Sequence, residues 1–188
     1  RNPVEMLPSL HSQRRVNGTE PYPTLAEALE AEPRRRAGEL PAVGAFPFYL
    51  EAARYTEQLR RYLDRFPAER VHVVVFDDLK RDVGAVYAGL LGFLDLPPFT
   101  PDFRVVNRNK RIRSAALQRV IENPRSLPNR LPGPAGRFAY KALDRLNSAP
   151  AAREALEPAV KEQLKLEFRG EIETLSDLLG RDLRGWLR

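Results

Sequence analysis

Apolar residues recur at helical spacing along most of this chain, and one short run breaks the habit. Leu50, Ala53, Leu59, Tyr62, Leu63 and Phe66 predict an amphipathic helix over Phe48 to Phe66. The six residues that follow a short gap, Val71-His72-Val73-Val74-Val75-Phe76, form a continuous and largely β-branched apolar run. That run is too short for an ordinary helix and predicts a strand buried on both faces, as in a parallel sheet flanked by helices. Val83 to Leu96 is helical again and stops at Pro97-Pro98. Helix, buried strand and helix in succession are the rhythm of an α/β fold.

The remaining elements follow from local punctuation. Asn2-Pro3 is a helix start, a cap residue before proline at the first helical position, with helix expected from Val4 to Val16 and kinked or shortened at Pro8. Thr24 caps a short helix from Leu25 to Glu32, and Pro33 to Pro47 reads as a surface loop. Asn107 to Arg113 is a basic run, and Ser114 behind it caps a helix from Ala115 to Glu122. Proline-rich turns over Asn123 to Gly136 lead to a helix from Arg137 to Leu146. A long final helix runs from Pro158 to Leu179 and ends at Gly180. The expectation is an α/β fold with a central parallel sheet, mostly helical in the portion present. One strand among so many helices needs partners, and these are expected upstream of Arg1.

Composition narrows the chemistry. The 188 residues fit one domain or most of one, and 43% hydrophobic residues supply a core. No stretch approaches the roughly 20 apolar residues of a membrane span, and no secretory signal opens the chain, so a cytoplasmic home is expected. With no cysteine and two histidines, thiol chemistry is excluded and no metal site is expected. The formal charge of +6 is carried mostly by arginine, whose planar fork suits phosphate and sulfate oxygens. A basic module for nucleic acid or an anionic glycan is the rival reading. Against it, aromatic residues are not interleaved with the basic runs, and no nucleic-acid partner is expected.

Three segments, in order, resemble the sulfotransferases that use 3'-phosphoadenosine-5'-phosphosulfate, above all the bacterial branch related to heparan sulfate sulfotransferases. The first is Arg1-Asn2-Pro3-Val4-Glu5-Met6-Leu7-Pro8-Ser9, similar to the family's Arg-x-Pro segment with a serine eight residues on. The second runs from Tyr55 to Phe66, through Val71 to Phe76 and Asp77-Asp78-Leu79, to Gly92-Phe93-Leu94-Asp95-Leu96. The third is the basic run Asn107-Arg108-Asn109-Lys110-Arg111-Ile112-Arg113-Ser114. The closing phrase from Leu178 to Trp186 also resembles the end of the family's domain, with Trp186 as a packing anchor.

The resemblance implies a P-loop-type parallel sheet and makes residues 1–188 the carboxy-terminal portion of a single domain, its first phosphate loop lying upstream. It implies that Arg1 and Ser9 hold the cofactor's 3'-phosphate, and that Lys110, Arg113, Arg111 and Asn107 close over its phosphates. Met6 and Pro8 depart from the family pattern, and Pro8 directly before Ser9 puts that serine's position in question. The catalytic base is expected upstream, so no catalytic residue is named. The implied reaction moves a sulfuryl group to a hydroxyl or amine of a small-molecule, lipid or glycan acceptor, without a metal. Tyr55, Leu59 and their neighbours read as core, Asp77-Asp78 as caps of the turn after the strand, His72 as a residue of the core or one that supports a site residue, and His11 as a surface one. Gln13 to Phe48 either lines the acceptor side or is an exposed loop, and the loop is favoured. A nucleotide-type kinase is the nearest alternative enzyme, with Asp77-Asp78 as its only candidate for handling magnesium.

Overall fold

The computed structural model describes residues 1–41, 48–104, 110–123, 131, 133–150 and 156–188, and helices dominate them. In chain order they are α1 (Pro3–Val16), α2 (Leu25–Glu30), α3 (Glu32–Arg36), α4 (Tyr49–Ala52), α5 (Tyr55–Leu63), α6 (Phe76–Arg81) and α7 (Val83–Phe93). Strand β1 (Lys110–Ile112), α8 (Ala115–Glu122), α9 (Gly133–Asn147), strand β2 (Ser148–Pro150) and α10 (Pro158–Leu179) complete them. Single 3-10 turns lie at Ala68–Arg70 and Arg184–Leu187.

The expected central parallel sheet is not found among the described residues. Their two strands pair with each other antiparallel, Lys110 opposite Pro150 and Ile112 opposite Ser148. Val71 to Val75 is extended at both ends but pairs with no described strand, and Phe76 already begins α6. His72, Val73 and Val74 are exposed, and Val75 alone of the run is buried, at 7%. Apolar content marks a segment that favours the pleat; the ladder itself depends on a second strand.

The described residues fall into two compact units. The first comprises Arg1–Met6, Leu50–Val106 and Pro158–Arg188. Its spine is α10, where Leu164, Phe168, Ile172 and Leu175 form one stripe at helical spacing, each no more than 4% exposed. Each such burial contributes roughly 1.5–3 kcal/mol. α5 packs against α10 and is fixed at its start: the Thr56 amide donates to Glu171 at 2.6 Å, and Arg54 pairs with Glu167 at 2.9 Å. α10 ends at Gly180, whose φ of 59° is in the left-handed region, while the Arg181 amide donates to the Ser176 carbonyl at 3.0 Å. The buried Ser176 hydroxyl donates to the Ile172 carbonyl and accepts from the Leu183 amide, joining the helix end to the closing turn.

The second unit comprises Leu7–Tyr49 and Asn107–Glu157. Thr24 and Glu27 form a reciprocal capping box at the start of α2. Where a surface loop was expected from Pro33 onward, the chain is helical over Glu32–Arg36, and Glu32 and Arg35 are buried. The described end of the basic run, Lys110 to Arg113, is likewise tied to the rest of the unit. Beyond β1, the Arg113 amide donates to the Asn147 carbonyl, and the buried Asn147 side chain binds the Ser114 amide, the Ser114 carbonyl and Gln118. The Ser114 hydroxyl accepts from the Leu117 amide, the expected cap of α8. α1, which contributes to both units, runs through Pro8 without a break. The Asn2 side chain caps its first turn, and Val4 and Leu7 are buried on it, which offsets the one hydrogen bond that Pro8 cannot donate.

Candidate functional site

Arg1 opens the chain directly before the Asn2 cap and the proline that starts α1. Its guanidinium donates to the Glu5 carbonyl at 3.2 Å and lies over the Phe76 ring at 4.9 Å from the centroid. Arg1 lines a cleft of about 280 Å³ in the first unit. The walls come from α5 (Tyr55, Gln58, Leu59, Tyr62), the extended segment Val73 to Val75, α10 (Leu175, Leu179) and Trp186 of the closing turn. A cation thus stands beside an apolar and aromatic hollow.

Trp186 is held in place by two polar contacts. Its indole N–H donates to the Asp77 carboxylate at 2.6 Å, and the Asn2 amide donates to its carbonyl at 3.4 Å. Asp77 and Asp78 occupy the first turn of α6, where carboxylates suit the helix dipole. Neither caps the helix with its side chain. Asp78 instead takes a two-point contact from Arg181 and a further bond from Arg81 at 2.7 Å. These arginines, Arg181 first, hold its carboxyl below the usual range. The acidic pair therefore ties α6 to the closing phrase instead of standing open to a metal ion.

Burial pushes the Tyr55 phenol up to about 12; the Arg1 charge pulls against this and Glu171 reinforces it. At neutral pH Tyr55 is a hydrogen-bond donor, and it is not a base. The cleft thus offers one guanidinium, the phenols of Tyr55 and Tyr62, the Gln58 amide and apolar walls. That set fits an anion carried on an aromatic or apolar group, a phosphorylated nucleoside being one such ligand.

The six residues implied by the resemblance do not all fall in one unit. Arg1 belongs to the first; Ser9, Lys110, Arg111 and Arg113 belong to the second, and Asn107 lies outside the described residues. Ser9 is half-buried on α1, directly after Pro8. Lys110 and Arg111 sit on β1, and Arg113 is exposed at the bend that follows. Of the cleft residues, Tyr55, Leu59 and Tyr62 were expected in the core. Tyr62 is 61% exposed, and a helical stripe carries no signal that separates a buried wall from the wall of an open cleft.

Both histidines reverse their expected places. His72 is exposed and stacks on Phe93 at 4.8 Å. His11 is buried, and because the Tyr22 carbonyl 3.1 Å from its Nε2 can only accept, that nitrogen carries the proton. His11 lies beside Tyr49 in a polar cluster that reaches into the segment expected to be an exposed loop. There Arg35 pairs with Glu20 at 2.7 Å, both side chains at most 1% exposed, and the Tyr49 hydroxyl donates to the other Glu20 oxygen at 2.8 Å. The Tyr49 amide donates to Glu32, and the Arg14 guanidinium lies over the Tyr49 ring at 4.2 Å. No family model, curated protein sequence or solved structure matches the chain.

Proposed function

We propose that this chain binds the 3'-phosphorylated adenosine of 3'-phosphoadenosine-5'-phosphosulfate and serves a sulfotransferase. The observation that carries the reading is Arg1, the first residue of the family-like Arg-Asn-Pro segment, lining the cleft with Tyr55 and Trp186. The guanidinium supplies a charge-assisted, two-point contact for a phosphate, the Tyr55 phenol a further donor, and the aromatic walls a surface for the purine. The residues of the first unit fit that end of the cofactor; a cradle for its phosphosulfate is not among those described. The co-substrate supplies a sulfuryl group for transfer to a hydroxyl or amine. The residues here bind and orient its nucleoside, and no proton transfer is assigned to any of them. Asp77 and Asp78, already engaged by Trp186, Arg181 and Arg81, favour this reading over a magnesium-dependent kinase.

Calorimetric titration of the chain with 3'-phosphoadenosine-5'-phosphate tests the proposal, with adenosine 5'-phosphate as the control ligand. Binding at least about tenfold tighter with the 3'-phosphate is the expected result, as befits one charge-assisted contact. Equal affinity for the two nucleotides, or binding of neither by the folded chain, would overturn it.

A further inference from the structure

Trp186 is held from two directions, and its holders do different things. The closing phrase is tied down through its backbone: Arg181 engages Asp78, and the Asn2 amide donates to the Trp186 carbonyl. Those contacts place the Cα of Trp186 and leave its two side-chain torsions open. The half-buried bond of 2.6 Å from the indole N–H to the Asp77 carboxylate fixes them. Indole carries no other polar atom. Asp77 itself is not among the described residues that line the cleft, whereas Trp186 is, so the N–H edge is turned away and the carbon surface of the ring forms the wall.

Neighbouring residues build the frame, all within the first unit. Arg1 lies over the Phe76 ring, and the residues directly after these two, Asn2 and Asp77, are the pair that holds Trp186. The guanidinium and the indole are thereby set relative to each other through the starts of α1 and α6. We infer that Asp77 is a positioning residue for the nucleotide: through the Trp186 indole it holds the ring against the base, while Arg1 holds the 3'-phosphate. Asp77 touches no ligand and acts only through Trp186. This role rests on the nucleotide reading above. An acidic residue bonded to a tryptophan elsewhere would be a strut; here the ring that it orients is a wall of the cleft. One base stacked on an aromatic side chain gains on the order of tenfold in affinity, which sets the size of the effect.

The test is calorimetric titration with 3'-phosphoadenosine-5'-phosphate of the unaltered chain and four variants, each checked for folding by far-ultraviolet circular dichroism. Asp77→Leu removes the acceptor and should weaken binding about tenfold. Asp77→Asn keeps an oxygen for the indole N–H and should bind within about twofold of the unaltered chain. Both variants lose the exposed pairing of Asp77 with Lys80 at 3.7 Å, so the difference between them isolates the indole bond. Trp186→Phe has no N–H to hold, and adding Asp77→Leu to it should change the affinity by less than about twofold. Equal weakening by Asp77→Leu in both backgrounds would make Asp77 a strut and overturn the inference. So would an Asp77→Leu variant that binds as well as the unaltered chain, or an Asp77→Asn variant as weak as Asp77→Leu. Absence of nucleotide binding by the unaltered, folded chain would overturn the nucleotide reading itself, and this role with it.

Discussion

The Glu20–Arg35 pair is the most severe electrostatic commitment in the described residues, and it makes the sharpest stability prediction. At 2.7 Å and an effective dielectric of about 20, the direct attraction is about 6 kcal/mol. Withdrawing two ions from water costs several kcal/mol each, which cancels much of that gain. The net worth of the pair is therefore modest, while the penalty for orphaning either member is large. Arg35→Met leaves the Glu20 carboxylate buried with only the Tyr49 hydroxyl and the Tyr22 amide, and should cost about 3–5 kcal/mol. Glu20→Gln leaves the Arg35 cation buried and should cost a similar amount. The double variant should cost much less than the sum, with a coupling of roughly 2–3 kcal/mol. Urea unfolding of the four proteins, followed by far-ultraviolet circular dichroism, measures the cycle. Single variants costing under about 1 kcal/mol, as exposed pairs do, or strictly additive costs would refute the reasoning.

The same cluster sets an acid limit. Burial pushes the Glu20 carboxyl up, but the Arg35 and Tyr49 hydrogen bonds outweigh it and hold the group below its usual value of 4.5. A depressed carboxyl contributes stability that is complete above 4.5 and is lost as the pH falls through the lower folded value, so unfolding should steepen below about pH 4.5 and flatten in Glu20→Gln. Of the six tyrosines, Tyr49 and Tyr55 are held protonated by burial, Tyr55 to about 12, and absorbance at alkaline pH should show two late ionisations. Tyr55→Phe should remove one, and the stability that Tyr55 lends, complete below pH 10, should disappear as the pH rises through about 12. Gly180→Ala meets no atom within 4 Å, so its cost should be the left-handed backbone alone, about 1 kcal/mol, read as a shift of the urea midpoint. A shift of 3 kcal/mol or more would mean that side-chain crowding is involved.

What was legible in the sequence was what neighbouring residues decide. Ala115–Glu122 and Pro158–Leu179 begin and end where their signals stand, the first behind Ser114 and the second at Gly180. Thr24 announced α2 for the same reason. The failures involve partners distant along the chain. Leu50 and Leu59 share one apolar stripe, yet the helix breaks at Ala53 and Arg54, where Arg54 turns to Glu167 and the Thr56 amide to Glu171. Val71 to Val75 has the composition of a strand and no strand beside it among the described residues. His11, Glu20, Glu32 and Arg35 looked like surface residues because nothing local shows that a charge 15 residues away neutralises another. In the cleft, Arg1 was legible from its motif. Tyr55, Tyr62 and Trp186 were visible only as aromatic residues in helical stripes and a closing phrase, since their convergence is tertiary.

Trp186 is the chain's only tryptophan and lines the cleft with Arg1, so its fluorescence tests the central claim most directly. Titration with 3'-phosphoadenosine-5'-phosphate should change the Trp186 emission saturably, and Arg1→Ala should weaken that response at least about tenfold in a chain that remains folded. An emission that does not respond, or that responds equally well in Arg1→Ala, would contradict the account.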